Sequence, residues 1–156
     1  MNLNGTRAIL RNFTMKSLTN TVLHLFTERV FSKNGEQNMT RREIGNFGET
    51  VVCNYLTQQG YDIVKRNYCI RGGEIDIIAI KSDFICFVEV KTRKENSMVS
   101  GLEAVTRKKQ LRIIRTAERY LLESQSELQP RFDVAEVILR NNTVISVQYI
   151  KSAFCL

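Results

Sequence analysis

Four charged residues in two short strings have the types and spacing to do chemistry: Glu74 and Asp76 in Gly73-Glu74-Ile75-Asp76, and Glu89 and Lys91 in Glu89-Val90-Lys91. Ser82-Asp83 lies between them and reads as a hairpin turn. A two-residue loop there, or a four-residue loop from Lys81 to Phe84, sets Asp76 opposite Glu89 and Glu74 opposite Lys91. Alternation then puts all four on one face. Directly opposed Cβ atoms lie about 4.5–5.5 Å apart, where like charges repel. Asp76 against Glu89 therefore calls for something positive between them. A divalent cation, Mg²⁺ or Mn²⁺, is the natural candidate, since hard cations take one or two carboxylates. Lys91 returns to the same face and can approach a phosphate. A competing reading is a solvated strand end whose acids pair with Lys91 and Arg93. Against it, Glu89 follows Phe84-Ile85-Cys86-Phe87-Val88, and a charge in so apolar a run is costly unless it has a task.

Composition removes several other chemistries. The single histidine, His24, excludes a multi-histidine zinc site within one chain. Cys53, Cys69, Cys86 and Cys155 form no C-x-x-C pair, which argues against a zinc ribbon. Three of them lie in apolar segments, which predicts buried free thiols in a reducing, cytoplasmic setting. Neither G-x-x-x-x-G-K-[ST] nor G-x-G-x-x-G occurs. No apolar run approaches the ~18 residues of a membrane span. The formal charge of +7, from 23 Lys and Arg against 16 Asp and Glu, favours a polyanionic partner, most often nucleic acid.

The elements that must position these residues follow from periodicity. Residues 1–38 carry no acid before Glu28 and read as a poorly ordered or weakly helical basic extension, loosely like a transit peptide, or as sequence ahead of a working start at Met39. Val22–Phe26 is too short for a signal-peptide core. From Arg41, Ile44, Phe47, Val51, Val52, Tyr55 and Leu56 recur at helical spacing, behind a Thr40 cap with Glu43 three residues on; Gly60 ends that helix. Strands are predicted at Tyr61–Cys69, Glu74–Ile80 and Phe84–Thr92, with a turn at Arg71-Gly72-Gly73. A second helix is predicted from Leu102 to about Glu123, then a hairpin of Arg131–Leu139 and Thr143–Ile150 around Asn141-Asn142. The order α-β-β-β-α-β-β is one mixed α/β domain over 39–156.

Two further groups bear on the site. Gly45 and Gly48 sit inside the first helix, each costing about 1 kcal/mol against alanine, so each calls for a reason such as close packing. Glu49 follows, one turn beyond Gly45, and is either an exposed helix acid or a third member of the site. Residues 91–119 hold nine Lys or Arg against three Glu. Arg107 through Arg115, with Lys108, Lys109 and Arg112, reads as opening the second helix on the side away from Val105, Ile113 and Ile114. Such a face is either solvated or contacts phosphates.

The strings Gly48-Glu49, Arg66-Asn67-Tyr68, Gly73–Ala79, Phe87–Arg93, Ala104-Val105, Lys109-Gln110 and Arg131–Val134 together resemble the YraN-like family over about residues 41–154. Its members are predicted bacterial endonucleases, distantly similar to archaeal Holliday-junction resolvases within the PD-(D/E)xK superfamily. The resemblance implies a restriction-endonuclease-like fold, a central mixed β-sheet flanked by helices. It implies Asp76, Glu89 and the Val90 carbonyl as metal ligands, Lys91 as the catalytic lysine, and Glu49 as the acid from the first helix. Lys109 and Gln110 match second-helix positions and, with Arg93, Arg107, Lys108 and Arg112, are expected to contact nucleic acid. Ile75 stands where many superfamily members carry proline. The expected activity is Mg²⁺- or Mn²⁺-dependent hydrolysis of DNA phosphodiesters, on branched or damaged DNA, by a homodimer as in the resolvases. The alternative is a non-catalytic nucleic-acid-binding module on the same fold.

Overall fold

A computed structural model describes residues 39–95 and 105–155. The expected extension at 1–38, with His24, lies outside the described residues. Helix α1 spans Arg41–Gln58. The Thr40 hydroxyl accepts the Glu43 N–H, and the Glu43 carboxylate accepts the Thr40 N–H at 2.8 Å. That reciprocal cap satisfies donors the helix cannot pair itself. Gly60 ends the helix at φ +76°.

Strands β1 (Asp62–Ile70), β2 (Gly73–Lys81) and β3 (Phe84–Lys94) follow. Helix α2 (Arg107–Ser124) leads to β4 (Gln129–Arg140) and β5 (Thr143–Phe154). The sheet order is β1-β2-β3-β4-β5, antiparallel throughout except for β3 with β4. This is a mixed sheet flanked by two helices in the predicted order, consistent with a restriction-endonuclease-like architecture.

Two boundaries need correction. Gly73 belongs to β2, so the turn is Arg71-Gly72, with Gly72 at φ +97°. The described part of the second helix begins at Arg107, not Leu102. Residues 102–104 lie outside the described residues, Val105 is a bend, and Thr106 is an extended cap whose hydroxyl accepts the Lys109 N–H.

The core forms on both sides of the sheet. Ile78, Ile85, Phe87, Phe132 and Val134 pack with Ile113, Ile114 and Ala117 of α2. Phe87 and Phe132 stack with ring centroids 5.7 Å apart. Helix α1 buries Phe47, Val51, Val52 and Leu56 and lies against β3, β1 and β4. Two glycines set the helix–sheet distances. A Cβ on Gly48 would stand 1.8 Å from Thr92 Oγ1 of β3, and one on Gly73 would stand 2.1 Å from Thr116 Oγ1 of α2. Only glycine permits either approach.

The cysteines are free, but only Cys53 and Cys86 are buried; Cys69 and Cys155 are exposed. Cys69 stands on β1, an edge strand of the sheet. Among the described residues, no helix is long and apolar enough to cross a membrane.

Candidate functional site

The hairpin register is as predicted, from Lys81 opposite Phe84 to Ile77 opposite Val88. There the ladder stops, one pair short of Asp76 and Glu89. Strand β3 continues to Lys94, paired only with β4, while Glu74 stays paired with Cys69 of β1. The two strands fork, and the site lies in the fork. Glu74 is therefore not set against Lys91 as expected.

Asp76 closes the gap with its side chain. Its Oδ2 accepts the Val90 N–H at 2.7 Å, a donor left over where the ladder ends. Burial and the neighbouring Glu89 push the Asp76 carboxyl up to about 7, against the opposing pull of the Val90 N–H and Lys109. Near neutral pH this group sits between its two protonation states.

Glu89 is 2% exposed. Lys91 Nζ donates to its Oε1 at 2.5 Å, and Lys109 Nζ lies 3.1 Å from its Oε2. The Lys109 contact is off the hydrogen-bond direction, so that oxygen keeps an unused lone pair. Lys109 also lies 3.6 Å from Glu74. Its burial favours the neutral amine, but Glu89, Asp76 and Glu74 outweigh that and hold its pKa above the usual lysine value.

Glu49 enters from α1, brought close by the Gly48–Thr92 contact. Its Oε2 is buried without a hydrogen bond, 3.7 Å from an Arg66 nitrogen. Glu49 and Lys109 approach from different helices and line one cleft of about 790 Å³ with Asp76, Glu89, Val90, Lys91 and Arg93.

The six residues expected to contact nucleic acid therefore separate. Arg93 and Lys109 line the cleft. Arg107, Lys108 and Arg112 are exposed on α2 and do not line it. Gln110 donates from its side chain to the Val105 carbonyl and accepts from Arg107, tying the start of the helix together.

Among the described residues, no three carboxylate, cysteine or histidine side chains converge as a ready-made metal cage. The donors present are the Asp76 and Glu89 carboxylates, with Val90 between Glu89 and Lys91. Two carboxylates suit Mg²⁺, which keeps several waters. Glu89 Oε2 and Glu49 Oε2, ion-paired but without a hydrogen bond, and a carboxyl raised by its neighbour, are chemically suited to such an ion.

A second polar cluster carries no predicted site residue. Asp133 is fully buried and accepts a two-pronged contact from Arg131, with Nε at 2.9 Å and a terminal nitrogen at 2.8 Å. It also accepts the Tyr149 hydroxyl at 2.5 Å and the Ser152 N–H at 2.8 Å. Arg131 reaches on to the Tyr61 hydroxyl. The strand periodicity of Arg131-Phe132-Asp133 could signal two side chains on one face, but not their partners. This cluster locks β5 to β4 across a register break between Phe132 and Val134.

The sequence model of the uncharacterised protein family UPF0102 matches residues 48–137. A UPF0102 protein of Clostridium tetani (strain Massachusetts / E88) is 46% identical over 121 residues, covering 76% of this chain and 99% of the relative. One of Clostridium botulinum (strain Loch Maree / Type A3) is 45% identical over 116 residues, covering 72% of this chain and 94% of the relative.

Proposed function

The chain belongs to the uncharacterised protein family UPF0102, and from that premise we propose that it is a metal-dependent endonuclease that hydrolyses DNA phosphodiester bonds. The family name carries no activity, so the proposal rests on the site. The observation that carries it is the fork: two carboxylates, Asp76 and Glu89, are held side by side and largely buried, with Lys91 directly on one of them. A pure binding surface gains nothing from such a pair, which destabilises the fold unless a cation answers it.

Asp76, Glu89 and the Val90 carbonyl would hold the ion, with Glu49 beside them. A divalent cation there would polarise a phosphoryl oxygen and make water a better nucleophile at neutral pH. Lys91, released from Glu89, would face the charge that builds on the phosphate as it is attacked. Asp76 holds β3 in place through Val90, which fixes the line from Glu89 to Lys91. The likeness to Holliday-junction resolvases points to branched DNA and a second copy of the chain as the setting.

A second reading, a non-catalytic nucleic-acid-binding module, is favoured by one feature: Lys91 and Lys109 both already neutralise Glu89. Labelled duplex, nicked, flap and four-way-junction DNA, incubated with Mg²⁺, Mn²⁺ or EDTA, separates the two. Metal-dependent cutting by wild type, lost in Glu89→Gln and Lys91→Ala, supports the nuclease. Salt-sensitive binding that survives in both variants, with nothing cut, supports the module.

A further inference from the structure

Gly48 is a glycine because Thr92 leaves no room for a Cβ. Gly45, three residues earlier, has no such reason. A Cβ built there meets nothing within 4 Å among the described residues. Its backbone is not in the left-handed region either, where only Gly60 and Gly72 of the described glycines lie. Glycine nevertheless weakens the helix that carries it.

Gly45 lines the cleft. Arg41, Gly45 and Glu49 follow one another at four-residue spacing and form one stripe of α1 along that wall. The floor is the outer half of β3, from Glu89 to Lys94. The far wall is the β4–β5 turn, where Asn141 and Asn142 are both left-handed, at φ +48° and +61°, in a tight two-residue turn. Glu95 and Arg140 are ion-paired at that end. The acids Glu49, Asp76 and Glu89 gather at one end of the cleft, while Arg41 and Lys94 face its length. The absent side chain thus leaves a passage from a cationic stretch to the carboxylates.

We infer that this cleft seats one unpaired strand of nucleic acid, whose sugar–phosphate backbone passes against the bare backbone of Gly45. The inference rests on the proposed nuclease reading and names the form its substrate takes at the site. Glu89 is 2% exposed at the floor, so a phosphate must descend between the α1 wall and the β4–β5 wall to reach it, and a single strand presents less bulk between those walls than a paired one. The exposed Arg107, Lys108 and Arg112 lie outside this passage and supply only general attraction.

The test uses the full chain with Gly45→Ala and Gly45→Met. Thermal unfolding is measured alongside anisotropy of labelled single-stranded and duplex oligonucleotides, in Ca²⁺ and in EDTA. Gly45→Ala should raise the Tm by roughly 2–4 °C and change single-strand binding by less than about threefold. Gly45→Met should keep the Tm at or above wild type and weaken single-strand binding by about tenfold or more, with duplex binding much less affected. A lower Tm for Gly45→Met would mean that the chain itself fills the space, and would overturn the inference. So would unchanged single-strand binding, equal loss on duplex, or a wild type that binds single strands in neither buffer. Cleavage by wild type in Mg²⁺ or Mn²⁺ is scored separately. A protein that shows the expected binding pattern but cuts nothing sinks the nuclease reading and leaves the cleft standing; one that cuts equally well with Gly45→Met does the reverse.

Discussion

The Asp76 carboxylate accepts the Val90 N–H at 2.7 Å, between Glu89 and Lys91 in the chain. One side chain therefore terminates a β-ladder and helps build the charged site. Strand β2 leaves β3 after Ile77 and Val88, and Asp76 answers a donor that β2 backbone would otherwise have met. The cost is a buried acid beside another acid.

That cost predicts a pH dependence. Because the folded protein holds the Asp76 carboxyl at about 7, above its ordinary value of 3.8, the native state binds the proton more tightly than the unfolded chain. Metal-free stability should therefore fall as pH rises from about 4 to about 7 and stay low above that, by roughly 2–4 kcal/mol at most from this group. Asp76→Asn keeps an acceptor for Val90 and should raise the Tm at pH 8 but not at pH 4. No difference between the two pH values would remove Asp76 as the cause.

Mg²⁺ should act in the opposite sense. A cation bound at Asp76 and Glu89 favours the ionised form, so millimolar Mg²⁺ should raise the wild-type Tm at pH 8 by more than at pH 5. The same titration of Asp76→Asn should give a much smaller rise. Equal shifts in both proteins would place the ion elsewhere.

Glu89→Ala should be a poor test of catalysis, because it leaves Lys91 and Lys109 facing each other over a hole. Both lysines are partly exposed, so the loss should be about 1–3 kcal/mol rather than the full penalty of a broken buried pair. Glu89→Gln with Lys109→Met removes one charge of each sign and should recover part of that stability without activity. Chemical denaturation of the three proteins checks it; a double variant no more stable than Glu89→Ala would show that charge is not the cause.

Gly48→Ala should destabilise the protein by roughly 1–3 kcal/mol, since its Cβ collides with Thr92. Thr92→Ala should be milder, and the double variant should recover part of the loss, a coupling of about 0.5 kcal/mol or more. Independent, additive effects would mean that α1 and β3 do not meet there.

Asp133→Ala should be the most damaging of these substitutions, at about 3–5 kcal/mol, because it strands a mostly buried Arg131 along with Tyr149 and the Ser152 N–H. Equilibrium unfolding measures it. A loss below 1 kcal/mol would mean that the cluster contributes little to holding β5.

Much of this was legible in the sequence. The hairpin register follows from alternation and a two-residue turn, and the first helix from its capping box. The fork was not, because period-two patterning continues straight through Asp76 and Glu89 with nothing to mark where pairing ends. Lys109 was read with the surface cations beside it. Its spacing of four from Ile113 and eight from Ala117, both buried against the sheet, puts it on the inward side of α2 and could have identified it. The start of α2 was misjudged because Leu102 and Val105 extend an apolar pattern past the Thr106 cap. The Arg131–Asp133 cluster depends on Tyr61, Tyr149 and Ser152, far along the chain, and no local pattern announces such partners.

The parallel pairing of β3 with β4 sets an order of events during synthesis. Phe84 meets Gln129 and Lys94 meets Leu139, so β3 has no partner on that side until the whole crossover and β4 have left the ribosome. Contacts so distant in sequence form slowly. Until then Ile85-Cys86-Phe87-Val88 is an open, apolar sheet margin, and Glu89 has no settled place beneath Lys109. A chain broken off before β4 would expose that margin to aggregation, and its cleft would lack the wall formed by Leu139–Asn142. The charged site is therefore completed only after β4 has emerged and paired with β3.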